Sequence, residues 1–277
     1  MLNKIIITAV FIISVVLPLN SQAQETVRLA VGEWQPYITE KVEGKGLLSQ
    51  IVSAAYKEVG VKVEYHFFSW KRAMFYVEKG SYDGSIGWVK STEREKRVDY
   101  SDPIGETASV FFHLKTLPFH WDDSDDLQGY DISATYGYYE LEKLRGLVEP
   151  GKDYRIQSHN TELDSLKLLL NKRADLFLCS RAVGLSLLRS NFTPAQAALV
   201  TYHPQPFFTD DVHAIFNKQS AKSQRLKELL NTGLQVIRDN GKFDALIKNY
   251  IENSKSEKLG DLSAVFNSYF SRTFTSK

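Results

Sequence analysis

The stretch Gly80 to Ser101 reads G-S-Y-D-G-S-I-G-W-V-K-S-T-E-R-E-K-R-V-D-Y-S, and it decides the fold. Asp83-Gly84 is a turn signal. Ser85 to Val89 is a short, mostly apolar run without polar alternation, the pattern of a strand covered on both faces. Ser91-x-x-Arg94 opens a helical turn just past the carboxyl end of that strand, and a further strand follows towards Ser101. In open α/β sheets, ligands bind at the carboxyl ends of strands. An Arg placed there offers a fixed fork of donors suited to a carboxylate. The local sequence also supports a plainer reading. Glu93, Arg94, Glu95, Lys96 and Arg97 form a mixed-charge run, and such runs usually cover a solvated helix face.

Upstream, Val27 to Val31 alternates as a strand, and Glu33-Trp34-Gln35-Pro36-Tyr37 follows as a loop. Leu47, Leu48, Ile51, Val52, Ala55 and Val59 keep a helical stripe. Val61, Val63, Tyr65 and Phe67 alternate again. Ser69 precedes a helix carrying Trp70, Ala73, Met74 and Val77, which ends at Gly80. This β-α-β-α-β order implies a mostly parallel sheet with right-handed crossovers.

Downstream, Thr107 to Leu114 is a long strand, and the acidic loop His120 to Gln128 marks a change of composition. A second β-α-β unit then begins. It has a strand at Tyr130 to Thr135, a helix at Tyr138 to Leu147 and a strand near Tyr154 to Gln157. Thr161-x-x-Asp164 is a capping-box pattern ahead of Leu166, Leu169 and Leu170. Asp175 to Cys179 is a buried strand followed by a helix. Val212 to Phe216 reads as a strand returning to the first unit. Leu226, Leu229, Leu230, Gly233 and Ile237 form a long helix stopped at Asn240-Gly241. The pattern predicts two α/β lobes joined by two crossings, near Phe112 to Lys115 and near His203 to Phe208. Lobe 1 comprises 24–113 and 208–250, and lobe 2 comprises 114–207. Residues 251–277 form a tail in which Leu262, Val265, Phe266, Tyr269, Phe270 and Phe274 fall on one helical face.

Residues 1–23 read as a Sec signal peptide: Lys4, an apolar core from Ile5 to Leu17, and small residues at Ser21 and Ala23. That places the mature chain in the periplasm. Of 34 Lys and Arg, only Lys4 lies in this leader, which leaves 33 basic against 33 acidic residues. A neutral chain gives no electrostatic reason to expect nucleic acid or an anionic membrane as partner. The one cysteine, Cys179, excludes an internal disulfide and reads as a buried thiol. No His or Cys spacing suggests a metal, and no cofactor is expected.

Ser91-Thr92-Glu93-Arg94, then Val98-Asp99-Tyr100-Ser101-Asp102-Pro103, resembles the T-x-E-R…v-d-F-S-x-P-Y signature of the family 3 extracellular solute-binding proteins. These are the periplasmic receptors of polar amino-acid ABC transporters. The resemblance extends along almost the whole chain after the leader. It implies a type II periplasmic binding protein fold and a monomer that closes around a small-molecule ligand, delivering it to an inner-membrane ABC permease. It implies no catalysis. By resemblance Arg94 holds the ligand's carboxylate, and Trp34 and Trp70 fall where the family places aromatic or apolar site residues. Trp88, after Gly87, joins them at a strand end. Three Trp near one cleft favour a flat, aromatic or cationic ligand. Core packing is the alternative reading for each Trp. Arg72 and Arg181 are nearby basic candidates for the site, with a surface ion-pair role as the favoured reading of each.

Three departures mark the pocket as rebuilt. Ser180 stands where the family has its amine-binding Asp. Gly137-Tyr138-Tyr139 replaces a small-residue turn. The Ser or Thr that usually helps bind the carboxylate falls near Val89. The same fold also carries a periplasmic prephenate/arogenate dehydratase, for which Glu33 beside Trp34 is the one obvious acid. A third reading is a soluble receptor feeding a separate sensor protein.

Overall fold

The computed structural model describes residues 24–256. The expected leader and the amphipathic tail beyond Ser256 lie outside the described residues. In chain order the elements are β1 (Thr26–Val31), α1 (Leu47–Glu58), β2 (Lys62–Phe67), α2 (Trp70–Glu78), β3 (Gly84–Val89), α3 (Thr92–Glu95) and β4 (Val98–Leu114). Next come β5 (Asp131–Thr135), α4 (Tyr139–Arg145), β6 (Arg155–His159), α5 (Glu162–Leu170), β7 (Leu176–Ser180), α6 (Arg181–Asn191), α7 (Pro194–Ala197) and β8 (Val200–Tyr202). The last are β9 (Phe208–Asn217), α8 (Ala221–Asp239) and α9 (Lys242–Ser256).

The strands form one sheet path, β2-β1-β3-β9-β4-β7-β5-β6, with β8 paired to β4. β1 pairs in parallel with β2 and β3, and β5 pairs in parallel with β6 and β7. These two parallel triplets are the β-α-β units read from the sequence. Between them, β4 and β9 run antiparallel to each other from Val98↔Asn217 to Ser109↔Phe208. At Ser109, β4 also begins to pair with β7, opposite Ser180. The chain therefore enters lobe 2 along β4 and returns along β9, and the two crossings are hydrogen-bonded side by side.

The lobe 1 core lies between the sheet and α1, α8 and α9. Leu47, Leu48, Ile51 and Val52 of α1 are fully buried, each burial worth about 1.5–3 kcal/mol. Leu226, Leu230, Leu234 and Ile237 of α8 are likewise fully buried. The two helices touch where a glycine allows it. A Cβ built on Gly233 would sit 2.0 Å from the carbonyl oxygen of Ala55, a backbone atom that cannot swing away. Lobe 2 has its own core of Phe111, Phe119, Trp121, Ile132, Leu141, Leu144 and Leu178. Among the described residues, no helix is long and apolar enough to cross a membrane.

This close contact yields a prediction. Gly233→Ala forces α8 away from α1 and should destabilise the protein by about 1–3 kcal/mol, the usual cost of overpacking. Urea unfolding of the variant beside wild type measures it, and an unchanged midpoint would show that the helices separate freely.

Candidate functional site

In each lobe the carboxyl ends of the parallel strands point at the other lobe. Trp34 follows β1, and Trp70 begins α2 just after β2. Trp88 and Val89 end β3. From lobe 2, the loop after β5 brings Gly137, Tyr138, Tyr139 and Glu140. These residues, with Gly87, Arg94 and Thr107, line one cavity of ≈ 50 Å³. That is room for a few waters. A larger solute enters only if the lobes or the aromatic rings move.

Gly87 shapes this end of β3. It adopts φ +93°, and the register of β3 against β9 slips between Ile86 and Trp88. A Cβ there would lie 2.7 Å from Ile38 and 2.9 Å from the Trp70 ring. Glycine is required for both reasons, and the irregularity re-aims the following residue. The rings pack edge to face. Trp34 and Trp70 centroids are 6.5 Å apart at 89°, Trp70 and Trp88 5.2 Å at 90°, and Trp70 and Tyr138 6.4 Å at 83°. Such geometry suits the ring quadrupoles. The last pair spans the two lobes. Trp88 is anchored by its indole N–H, which donates to Ser85 Oγ at 2.7 Å.

The charged run divides by direction. Ser91 Oγ caps α3 by accepting from the Arg94 N–H at 3.3 Å. The Arg94 side chain, 11% exposed, turns inward. It donates to the Val89 carbonyl at 3.3 Å and lies over the rings of Trp88 and Tyr139 at 5.7 and 5.8 Å. It also pairs with Glu142 of α4 at 3.4 Å, an ion pair between lobes. The fork aimed at a carboxylate thus already faces one supplied by the protein. Arg97 points outward, pairing with Glu78 at 2.5 Å and Glu93 at 3.3 Å. That is the solvated helix face expected of the run.

Of the residues singled out from sequence, Trp34, Trp70, Trp88, Arg94 and Tyr138 all line the cavity. Ser180 lies one layer behind, fully buried, its hydroxyl 3.0 Å from that of Thr107, which does line it. Arg72 stacks over Phe68 and Tyr76 and donates to the Tyr76 hydroxyl. Glu33 is exposed, accepts the Glu40 N–H at 2.9 Å and does not line the cavity, so it offers no acid to a substrate there. Among the described residues no cluster of three or more His, Cys, Asp or Glu is placed to hold a metal ion.

Two further carboxyl groups face the cleft without any pattern in the sequence that singles them out. Glu140 is buried in the first turn of α4, where Ser109 Oγ donates to it at 2.8 Å. Glu162 opens α5 and is hydrogen-bonded by the Tyr138 hydroxyl. With Trp34, Thr135, Tyr138, Leu178 and Cys179 they line a gap that adjoins the first cavity and, at ≈ 0 Å³, has no room even for a water with the side chains as they stand. Burial raises the Glu140 carboxyl above its ordinary range, partly offset by hydrogen bonds and by the charge of Arg94. Burial pushes Glu162 up to about 7. Burial also drives the Tyr138 hydroxyl and the Cys179 thiol well above their usual values. Only the acidic character of helix starts hinted at these residues, and that pattern is ordinarily a dipole effect at the surface.

A carboxyl raised in the folded state favours folding at low pH and loses that advantage as pH rises through its folded value. Glu162→Gln should therefore gain melting temperature relative to wild type as pH rises from about 5 to 8, with little difference at pH 5. Parallel melting curves across that range test it, and a constant offset would mean that Glu162 does not titrate there.

Comparisons with known proteins agree with this architecture. The family model for bacterial extracellular solute-binding proteins, family 3, matches residues 28–253. The "Probable amino-acid-binding protein YxeM" of Bacillus subtilis (strain 168) is 23% identical over 228 residues, covering 80% of this chain and 81% of that protein. Among solved structures, a histidine kinase sensor domain with similarity to periplasmic binding proteins superposes with TM-score 0.70 at 20% identity, over 82% of this chain and 97% of that one. An ancestral arginine-binding protein bound to arginine gives 0.69 at 21% identity, over 81% and 97%. The shared fold is the two-lobed type II periplasmic binding protein fold.

Proposed function

This chain belongs to the bacterial extracellular solute-binding proteins of family 3, and we propose that it captures a small polar solute of the amino-acid class in the cleft between its lobes. In this reading the mature protein works in the periplasm and presents the closed, loaded form to an inner-membrane ABC permease. One observation carries it. Trp34, Trp70, Trp88 and Arg94 from lobe 1 share a single cavity with Tyr138, Tyr139 and Glu140 from lobe 2. A solute seated there touches both lobes, so it binds the closed state better than the open one and shifts the population towards closure.

Arg94 receives the carboxylate of an anionic or zwitterionic solute. Its donors are mostly withdrawn from water, so the interaction is less screened than a surface pair. Glu142 competes for the same fork, which keeps Arg94 paired while the site awaits ligand. The competitor is 44% exposed, so it moves into solvent at little cost.

A thermal-shift screen of amino acids, amines, opines and short peptides identifies the solute. Calorimetric titration of variants then tests the role of Arg94. With a carboxylate-bearing hit, Arg94→Ala should weaken binding by roughly 2–5 kcal/mol, the range for truncating one side of a buried charge pair. Arg94→Lys should recover only part of this, because an ammonium cannot reproduce the fork. Arg97→Ala should cost under about 1 kcal/mol, as for an exposed pair. Wild-type affinity in Arg94→Ala would remove the carboxylate-binding role.

A further inference from the structure

The gap beneath Tyr138 is an unusual environment. Glu140 and Glu162 present two carboxyl groups to it, while Leu178, Cys179 and Trp34 make it largely apolar. The two interact electrostatically with each other. Taking a carboxylate out of water is costly unless a cation or several hydrogen bonds compensate. Here the compensation is thin. Glu140 has the Ser109 hydroxyl, its own backbone N–H and the field of Arg94. Glu162 has the Tyr138 hydroxyl and its own backbone N–H.

A second observation points the same way. Thr135 Oγ1 lines the same gap, its residue is 2% exposed, and the hydroxyl has no hydrogen-bond partner among the described residues. Buried hydroxyls are ordinarily paired. An unpaired acceptor beside two under-compensated carboxyls describes a place that is short of donors and of positive charge. Ammonium and guanidinium groups supply both, three or five N–H donors around one charge. The adjoining walls of Trp34, Trp70 and Trp88 add indole rings, whose faces attract a cation withdrawn from water.

We propose that Glu140, Glu162 and Thr135 form a cation subsite, taking an ammonium or guanidinium group of the ligand in place of a carboxylate at position 180. This rests on the solute-binding reading and names the class of solute: a small amine or guanidine. The gap is closed here, so it opens only as the Tyr138 ring swings aside and its hydroxyl yields its place on Glu162; the ligand then lies along the aromatic walls with its cation against Glu140. A carboxylate at the other end of the ligand meets Arg94. Ser180 does not contact the cation, because its hydroxyl is engaged with Thr107.

The experiment is titration calorimetry of residues 24–277 with agmatine, L-arginine and glutarate. Agmatine or L-arginine should bind with one-to-one stoichiometry, and glutarate should not. Glu140→Gln and Glu162→Gln should each weaken the cation by about tenfold or more, in line with loss of a charged hydrogen-bond partner. Gln keeps an acceptor for Ser109 and for Tyr138, so both variants should hold or raise the melting temperature. Thr135→Val strands no protein partner, and should keep the melting temperature while binding several-fold more weakly.

Cation binding favours the ionised carboxyl, so affinity should rise between pH 6 and 8, and the wild type should release protons on binding near pH 7. The groups facing Glu162 and Glu140 are Tyr138, Cys179, Arg94 and each other. Burial holds Tyr138 and Cys179 neutral over that range, so the slope should fall in Glu162→Gln to what Glu140 alone contributes.

Binding of glutarate in preference to both cations would overturn the subsite and leave the solute-binding reading standing. So would a cation that binds all three variants as tightly as wild type. If none of the probes binds, the subsite falls, and the broader solute screen decides the parent reading separately.

Discussion

The antiparallel ladder between β4 and β9 is the constraint on which the rest of the molecule depends. Each strand is one of the two chain crossings between lobes, and they are hydrogen-bonded to each other up to Ser109 and Phe208. Because the crossings are paired, the lobes share a single line of contact within the sheet. Relative motion of the lobes must be taken up where β4 changes neighbours, around Thr107 to Ser109, and beside it in β9. The parallel triplets on either side are oriented by that ladder, and their carboxyl ends meet over it. Thr107 lies both on this line and on the cavity, so the seat of the ligand and the axis of closure are adjacent.

What fills the cleft follows from that geometry. Rings from both lobes meet edge to face, so apolar area is buried between the lobes even with no solute present. The charges across it are arranged with more tension. Arg94 is satisfied by Glu142, a lobe 2 carboxylate near the surface. The deeper carboxyls, Glu140 and Glu162, receive only partial compensation and are held towards their neutral forms. A third carboxylate at position 180 would have crowded them further, and a serine hydroxyl bonded to Thr107 stands there instead. In the proposed subsite, Glu140, which is buried, and Glu162, which is half-buried, take the part that the resemblance gives to an Asp at position 180.

Much of the fold was legible because burial follows period. The stripe Leu47, Leu48, Ile51, Val52 and Ala55 is fully buried, and the run Ser85 to Val89 is a covered strand. The strand towards Ser101 and the one at Thr107 to Leu114 read as separate, because Asp102-Pro103 interrupts the pattern. In the structure they are one strand, with the register against β9 shifting on both sides of Pro103. Proline is tolerated within a sheet at such irregularities. The three-residue β8 was too short to carry a period. In the site, strand ends followed by Trp or Arg located the cleft from lobe 1. Lobe 2 was harder to read. Glu140 and Glu162 look like ordinary first-turn acids, and only tertiary packing turns their carboxyls away from water. Likewise nothing in the spacing of Arg94 and Glu142, on different lobes, announces that they meet.

The crystal structure of the protein with a solute found by thermal-shift screening tests the central claim most directly. The account predicts the solute between the lobes, against Trp34, Trp70 and Trp88 on one side and Tyr138 and Glu140 on the other. A solute bound to one lobe alone, or seated away from this cavity, would contradict it.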